Sequence, residues 1–303
     1  MMRQNLKPCV SKIALACGIL ISLTACKKSL SYNPETPTLV ITAIPDEKVT
    51  DQEAKFDALK KYLSEKLSVP VEFSVSDDYP AAVQRFKNGE VHLVWFGGLT
   101  GVQARAAVPG ARAIAQGDAD PNYVSYFIAH RSTGLQRGEN FPKEISEMTF
   151  TFGSKSSTSG RLMPTYFIQQ ETGKAPEEFF TKSLQFQSQG GHDATARAVA
   201  SGSVQVGVLS YKKYDAMVAE GEISAEDAPI IWVTPTYADY NLTVHPDLDK
   251  NYGDGFIDEL QSVLVDCEDP EILKAFNRDD LIPAKNEDFE GIVEVAKGLD
   301  FLR

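Results

Sequence analysis

Apolar positions along this chain alternate between two spacings. Residues 38–44 form a β-branched apolar run and predict a first strand. Beyond it, Phe56, Leu59, Leu63 and Leu67 make one stripe of a helix with lysines elsewhere, opened by Thr50 and Glu53 at capping-box spacing. A strand over 69–76, a helix over 79–88 stopped at Gly89, a strand over 91–96 and a helix over 99–107 continue the pattern. Strands and helices alternating this closely predict a parallel sheet with helices on its faces.

Strands are next predicted at 111–116 and 123–131, followed by a polar stretch at 132–140. A second series begins at Met148: strand 149–153, helix 158–173, strand 184–188, helix 194–201, strand 204–209, helix 211–220 and strand 229–234. Residues 241–245 predict another strand, and 253–266, 270–276 and 287–298 predict helices. The expectation is an α/β chain of two lobes, each a mainly parallel sheet flanked by helices, with hinge segments near 129–150 and 234–242. Residues 38–131 plus 242–303 make lobe 1 and 132–241 make lobe 2, the C-terminal helices returning to lobe 1. A single doubly wound domain is the alternative. In either case, ligands bind at the carboxyl ends of strands and in crevices.

The N-terminus changes the picture. Arg3, Lys7 and Lys12 precede an apolar run at 13–23, and Leu23-Thr24-Ala25-Cys26 follows. This is the order of a secretory signal over residues 1–25, and the run falls short of the roughly 20 residues of a spanning helix. Its end resembles a bacterial lipobox, which implies cleavage before Cys26 and diacylation of its sulfur. Residues 26–37, with Pro34 and Pro37, read as a tether holding the chain to the cell envelope, facing the periplasm or the exterior. Cys9 and Cys17 leave with the signal, so Cys267 remains as a buried structural thiol.

Cleavage leaves 278 residues with 27 basic and 42 acidic side chains. Such a balance excludes nucleic acid as a partner. A small anion would be repelled at long range, though salt screens this beyond about 8 Å. An anion site in this chain must therefore be built locally, from oriented donors.

Two places offer them. The strand at 149–153 gives way to Ser156-Ser157-Thr158-Ser159-Gly160 as a helix starts. The first N–H groups of a helix lack internal acceptors and carry partial positive charge, so with added hydroxyls they form an anion cradle that needs no lysine. A plain N-cap in a serine-rich loop fits the residue types equally well. Gly190-Gly191-His192-Asp193 likewise follows a strand and precedes a helix. His192 can donate from a ring nitrogen, protonation strengthening the bond, while Asp193 caps the helix.

Ser157, His192 and Asp193 could also be imagined as a hydrolytic set. However, the chain has no G-x-S-x-G elbow, and a histidine and aspartate adjacent in sequence ill suit one orienting the other. His92, His130, His192 and His245 show no metal-ligand spacing, and no cofactor is implied.

The Ser-Thr-Ser-Gly turn at 157–160, Gly-His-Asp at 191–193, Asp-Tyr at 78–79 and the Trp95-Phe96-Gly97 strand end resemble the phosphonate/phosphite/phosphate-binding family of ABC-transporter solute-binding proteins. The resemblance runs from about residue 38 to the C-terminal helices. It implies a two-lobed type II periplasmic-binding fold that captures a small tetrahedral oxyanion and acts as a monomer with a permease and its ATPase, without being an enzyme. It also implies that Tyr79, Ser157, Thr158, Ser159 and His192 bind the anion's oxygens; Phe96 and Tyr211 complete the candidate set. Two features depart from the family. Phe96 stands where a tyrosine is frequent, and Ser210-Tyr211-Lys212-Lys213 stands where acidic residues would hold an aminoalkylphosphonate, with Asp239 the only nearby candidate. A compact inorganic anion is therefore favoured. Residues 95–100 resemble a related group labelled selenate binders, so the expected ligand is phosphonate, phosphite, phosphate or selenate. A ligand sensor for a membrane receptor is the alternative reading, with a phosphoester hydrolase weaker.

Chemistry separates these anions. Phosphate and phosphite can carry a proton at neutral pH and tolerate a carboxylate acceptor. Selenate and sulfate cannot, and two facing acceptors cost on the order of 1–3 kcal/mol or more. Hydrogen bonds to charged groups contribute roughly 1.5–3 kcal/mol each, so several exceed the ~8 kcal/mol of micromolar affinity.

Overall fold

A computed structural model of the chain describes residues 35–46, 49–187 and 191–302. The signal, Cys26, most of the tether and Gly190 lie outside the described residues, as does the side chain of Thr50.

The first series folds as β1 (Leu39–Ala43), α1 (Val49–Leu67), β2 (Val71–Phe73), α2 (Tyr79–Lys87), β3 (Leu93–Phe96), α3 (Gly98–Ala107) and β4 (Arg112–Gly117). The second comprises β5 (Ser125–Ala129), β6 (Phe150–Phe152), α4 (Met163–Thr172), α5 (Pro176–Phe179), β7 (Leu184–Phe186), α6 (Gly191–Ala200), β8 (Val206–Ser210), α7 (Tyr211–Ala219) and β9 (Ile230–Val233). The chain closes with β10 (Asn241–Val244), α8 (Asp247–Tyr252), α9 (Phe256–Val265), α10 (Pro270–Leu273), β11 (Leu281–Pro283) and α11 (Glu290–Gly298).

One sheet has the order β11-β4-β10-β3-β1-β2 and the other β7-β6-β8-β5-β9. β1 lies parallel to β2 and β3, and β6 parallel to β7 and β8, as the short spacing predicts. The remaining strands make both sheets mixed. β10 runs antiparallel between β3 and β4, β11 runs antiparallel at the edge, and β5 runs antiparallel to β8 and β9.

This topology corrects the expected lobe boundary. Residues through 131 were assigned to lobe 1, whereas β5 pairs wholly within the second sheet. Phe127 holds it there, packed edge-on against Phe141 and Trp232. The outward crossing is therefore 118–124, not 129–150, and the return is 234–240. The two crossings pair with each other: Tyr123 and Tyr237 exchange backbone hydrogen bonds of 2.8 and 3.0 Å, and Asp239 N–H donates to the Asp120 carbonyl at 3.1 Å. The return crossing is extended, and the outward one holds only a single 3₁₀ turn, Asp120–Asn122, before the extended residues that run into β5, so periodicity could not tell crossing from strand.

Other differences have local causes. The helix predicted at 253–266 starts only at Phe256, because Gly253 and Gly255, both at positive φ, separate it from α8, which the pattern missed. The missed β11 is three residues long and ends on Pro283, which an edge strand accommodates. The C-terminal helices pack on the first sheet's helices as expected: Tyr62 Oη of α1 donates to the Val263 carbonyl of α9 at 2.8 Å. Cys267 is buried and unbridged.

Candidate anion-binding site

Ser157 to Ser159 sit where β6 turns into the helix that α4 continues. Ser157 Oγ caps the turn by accepting Gly160 N–H at 3.0 Å. Residues 158–162 then form one wide π turn, with Leu162 N–H bonded to the Ser157 carbonyl at 3.0 Å, before α4 takes over. A Cβ on Gly160 would stand 2.9 Å from Ser157 Oγ, so the loop folds this tightly only with glycine there. The turn leaves the first N–H groups of the helix without internal acceptors. Ser157, Thr158 and Ser159 are all buried.

His192 meets this turn from the start of α6. Its Nε2 lies 3.4 Å from Ser159 Oγ and 3.5 Å from Tyr240 Oη. Its Nδ1 accepts Ser210 N–H at 3.3 Å, which puts the ring proton on Nε2, facing the cradle. Burial, then the Lys213 charge, push the imidazole pKa down to about 3. His192 is therefore a neutral donor, and the expected strengthening by protonation does not apply.

Tyr79, the first residue of α2, is buried beside Ser157, Asp46 and Asp239, and its hydroxyl makes no well-formed hydrogen bond. Burial, reinforced by Asp46 and Asp239, raises its pKa and keeps it a phenol donor. The sequence expectation thus brings together Tyr79, Ser157, Thr158, Ser159 and His192. It does not bring in Phe96, which packs edge-on against Phe86 in the core, ring centroids 5.7 Å apart. Strand alternation gives the cleft face of β3 to Trp95 instead, stacked on Tyr240 at 5.3 Å. Tyr211 is half-buried with its ring 4.8 Å from Tyr123, one ring removed from Tyr240.

Sequence reasoning missed a further helix start. Gly98 N–H, at the head of α3, donates to Asp239 Oδ1 at 2.9 Å, and Leu99 N–H donates to Thr158 Oγ1 at 2.9 Å. It also undervalued Asp239, whose Oδ2 is buried with no partner. Burial is the main reason the Asp239 pKa rises to about 7; the Gly98 N–H partly offsets it. The available signal was Tyr237, Asp239 and Tyr240 clustered between two apolar strands, polar groups where the chain was extended and buried.

Several of these bonds join the two lobes. Besides Leu99 to Thr158, His192 N–H donates to the Asp46 carbonyl at 3.3 Å, while Tyr240 Oη, at the end of the return crossing, donates to Asp46 Oδ2 at 2.9 Å on the first lobe's side. A neighbouring cavity, lined by Trp95, Tyr123, Tyr240 and Arg278, shares Asp46 and Tyr240 with the cradle and includes Lys55 and Lys213 in its wall.

The hydrolytic set is not assembled. Ser157 Oγ serves as a cap, His192 Nδ1 faces an amide rather than a carboxylate, and Asp193 pairs with Lys213 at 3.5 Å. The arrangement presents hydroxyl, imidazole and amide donors beside the carboxylates of Asp239 and Asp46, the latter already holding Tyr240 Oη, which suits holding an anion that shares a proton.

The family model described as the periplasmic substrate-binding protein of phosphonate ABC transporters matches residues 41–289. Over 278 residues the chain is 35% identical to the probable ABC transporter phosphite binding protein PhnD1 of Prochlorococcus marinus (strain MIT 9301), spanning 89% of this chain and 92% of that protein. The solved structure of PhnD1 from the same organism, in complex with methylphosphonate, matches with a TM-score of 0.82 at 34% identity, over 88% of this chain and 99% of that one. The phosphate-import protein PhnD of Mycolicibacterium smegmatis (strain ATCC 700084 / mc(2)155) is 27% identical over 74% of this chain and 70% of its own length. The PhnD1 structure thus shares this chain's two-sheet α/β architecture, consistent with the two-lobed type II fold. The chain belongs to the family of periplasmic substrate-binding proteins of phosphonate ABC transporters.

Proposed function

We propose that this protein captures a small phosphorus oxyanion able to carry one proton, of the phosphite, methylphosphonate or phosphate kind, and delivers it to the permease and ATPase of an importer. The observation that carries the reading is Asp239: a buried carboxylate whose Oδ2 makes no hydrogen bond, while its Oδ1 takes the Gly98 N–H. A protonated phosphonate offers its P–O–H to that oxygen while its other oxygens take the hydroxyls, the His192 Nε2–H and the helix-start amides. Sulfate and selenate bring no proton, so Asp239 must supply it. With a pKa of about 7, that becomes costly as the pH rises above neutrality.

Calorimetry at pH 6 and pH 8.5 against phosphite, methylphosphonate, phosphate, sulfate and selenate tests this. The expected result is preference for the phosphorus anions, wider at pH 8.5, and roughly tenfold or more of that preference lost in Asp239→Asn. Equal affinity for sulfate and phosphite at pH 8.5 would reject the proton-sharing reading.

A lipid-bearing Cys26 and a proline-containing tether would hold the protein at the membrane beside its permease. Membrane pelleting that persists unchanged in Cys26→Ser would remove the anchor.

A further inference from the structure

The buried charge that the cradle does not use is Arg278, in the stretch between α10 and β11. Its side chain is 2% exposed, and Asp120 opposite it is fully buried. Four of the five guanidinium N–H groups are engaged: Nε donates to Asp120 Oδ2 at 3.0 Å, Nη2 donates to Asp120 Oδ1, and Nη1 donates to the carbonyls of Phe276 and Asn277 at 2.9 and 3.0 Å. Asp120 Oδ2 also takes Gly117 N–H at 2.8 Å, and a Cβ on Gly117 would stand 2.6 Å from that same oxygen. The pair therefore occupies a place made to its shape.

Arg278 Cζ lies 5.1 Å from the Tyr240 ring centroid, 5.3 Å from Tyr123 and 5.6 Å from Trp95. A guanidinium held this close to three rings fixes their positions as well as attracting their faces. Two of the rings end in hydroxyls that act on His192, that of Tyr240 directly and that of Tyr123 by way of Ser210. Tyr240 Oη lies 3.5 Å from Nε2, and Tyr123 Oη is hydrogen-bonded to Ser210 Oγ, on the residue whose N–H meets Nδ1. Asp120 belongs to the outward crossing, and its carbonyl holds the return crossing at Asp239.

We propose that Arg278, fixed by Asp120, is a positioning residue of the anion site: its planar fork holds the Trp95–Tyr123–Tyr240 wall so that the two tyrosine hydroxyls set the place and tautomer of His192. Because the pair is neutral as a whole, its role is geometric rather than a long-range pull on the anion. This rests on the reading of the cradle as an anion site.

Arg278→Lys keeps the charge and loses the fork. Asp120→Asn combined with Arg278→Met removes both charges, leaving neither buried alone if the lysine form does not fold. Both are made in a Trp232→Phe background, where Trp95 is the sole tryptophan. Each variant is expected to raise the Kd for phosphite at least tenfold and to shift the emission of Trp95 in the anion-free protein. A lysine variant that binds as tightly as its parent would overturn the inference, leaving charge alone as what matters. A shifted Trp95 emission with unchanged Kd would overturn it as well, because the wall would then have moved without disturbing the cradle. If the parent binds none of the phosphorus anions, the function reading fails by itself, and the anion-free emission still judges whether Arg278 holds the wall.

Discussion

Burial acts on Asp239 and His192 of the cradle in opposite directions. In the folded chain Asp239 keeps its proton up to about pH 7, against an ordinary value of 3.8. The folded form thus binds more protons between those values, and its stability falls as the pH rises through the window. His192 stays neutral down to about pH 3, against an ordinary 6.5, so there the unfolded form binds more protons and stability falls as the pH drops through that range. In the anion-free protein, Asp239→Asn should gain melting temperature relative to its parent as the pH rises from 5 to 8, whereas His192→Asn should gain as it falls from 7 to 4. Thermal melts across this range check both, and pH-independent differences would show that neither group titrates as its burial dictates. At this scale the sequence offered Ser157, Thr158, Ser159 and His192 because each sits at a helix start, a position visible as punctuation, whereas Tyr79 came only from the family resemblance. Trp95, Tyr123, Tyr240 and Arg278 were illegible for the converse reason. Their chemistry comes from stacking between segments far apart in the chain, and no local spacing encodes that.

Four helix starts converge, those of α2, α3, α6 and the turn into α4, and the backbone at the start of α6 comes especially close to the opposite lobe. Gly191, at φ +46°, opens α6 against the Asp46 backbone, where a Cβ would stand 2.7 Å from the carbonyl oxygen. Gly191→Ala should therefore leave each lobe folded but hold them apart, raising the Kd for phosphite about tenfold or more and abolishing the compaction seen by small-angle scattering on adding anion. Parent-like compaction in the variant would show that this approach is not needed for closure. The order and type of most elements followed from periodicity, since amphipathic stripes such as Phe56–Leu59–Leu63 are set by the chain itself. Sheet membership did not follow: β5 has the same apolar character whichever sheet receives it, and only the docking of Phe127 decides.

Over the whole molecule a net charge of −12 surrounds a site for an anion, and the cradle answers with hydroxyls, amides and a neutral imidazole. Such donors act at contact range, where added salt screens little. The Kd for phosphite is expected to change by less than about threefold between 50 and 500 mM sodium chloride, measured by calorimetry. A steep loss would instead place the binding energy in the lysines of the neighbouring cavity wall.

β10 enters the first sheet between β3 and β4 after the whole second sheet has been laid down. A chain emerging from a membrane channel in N-to-C order would carry every strand of the second sheet by residue 233, with the centre of the first still missing. Until residues 241–244 arrive, β3 and β4 have no strand to join them, and their open edges invite pairing with other chains. Export of this protein would thus leave the first sheet with four of its six strands, unjoined at the centre, until the last two arrive.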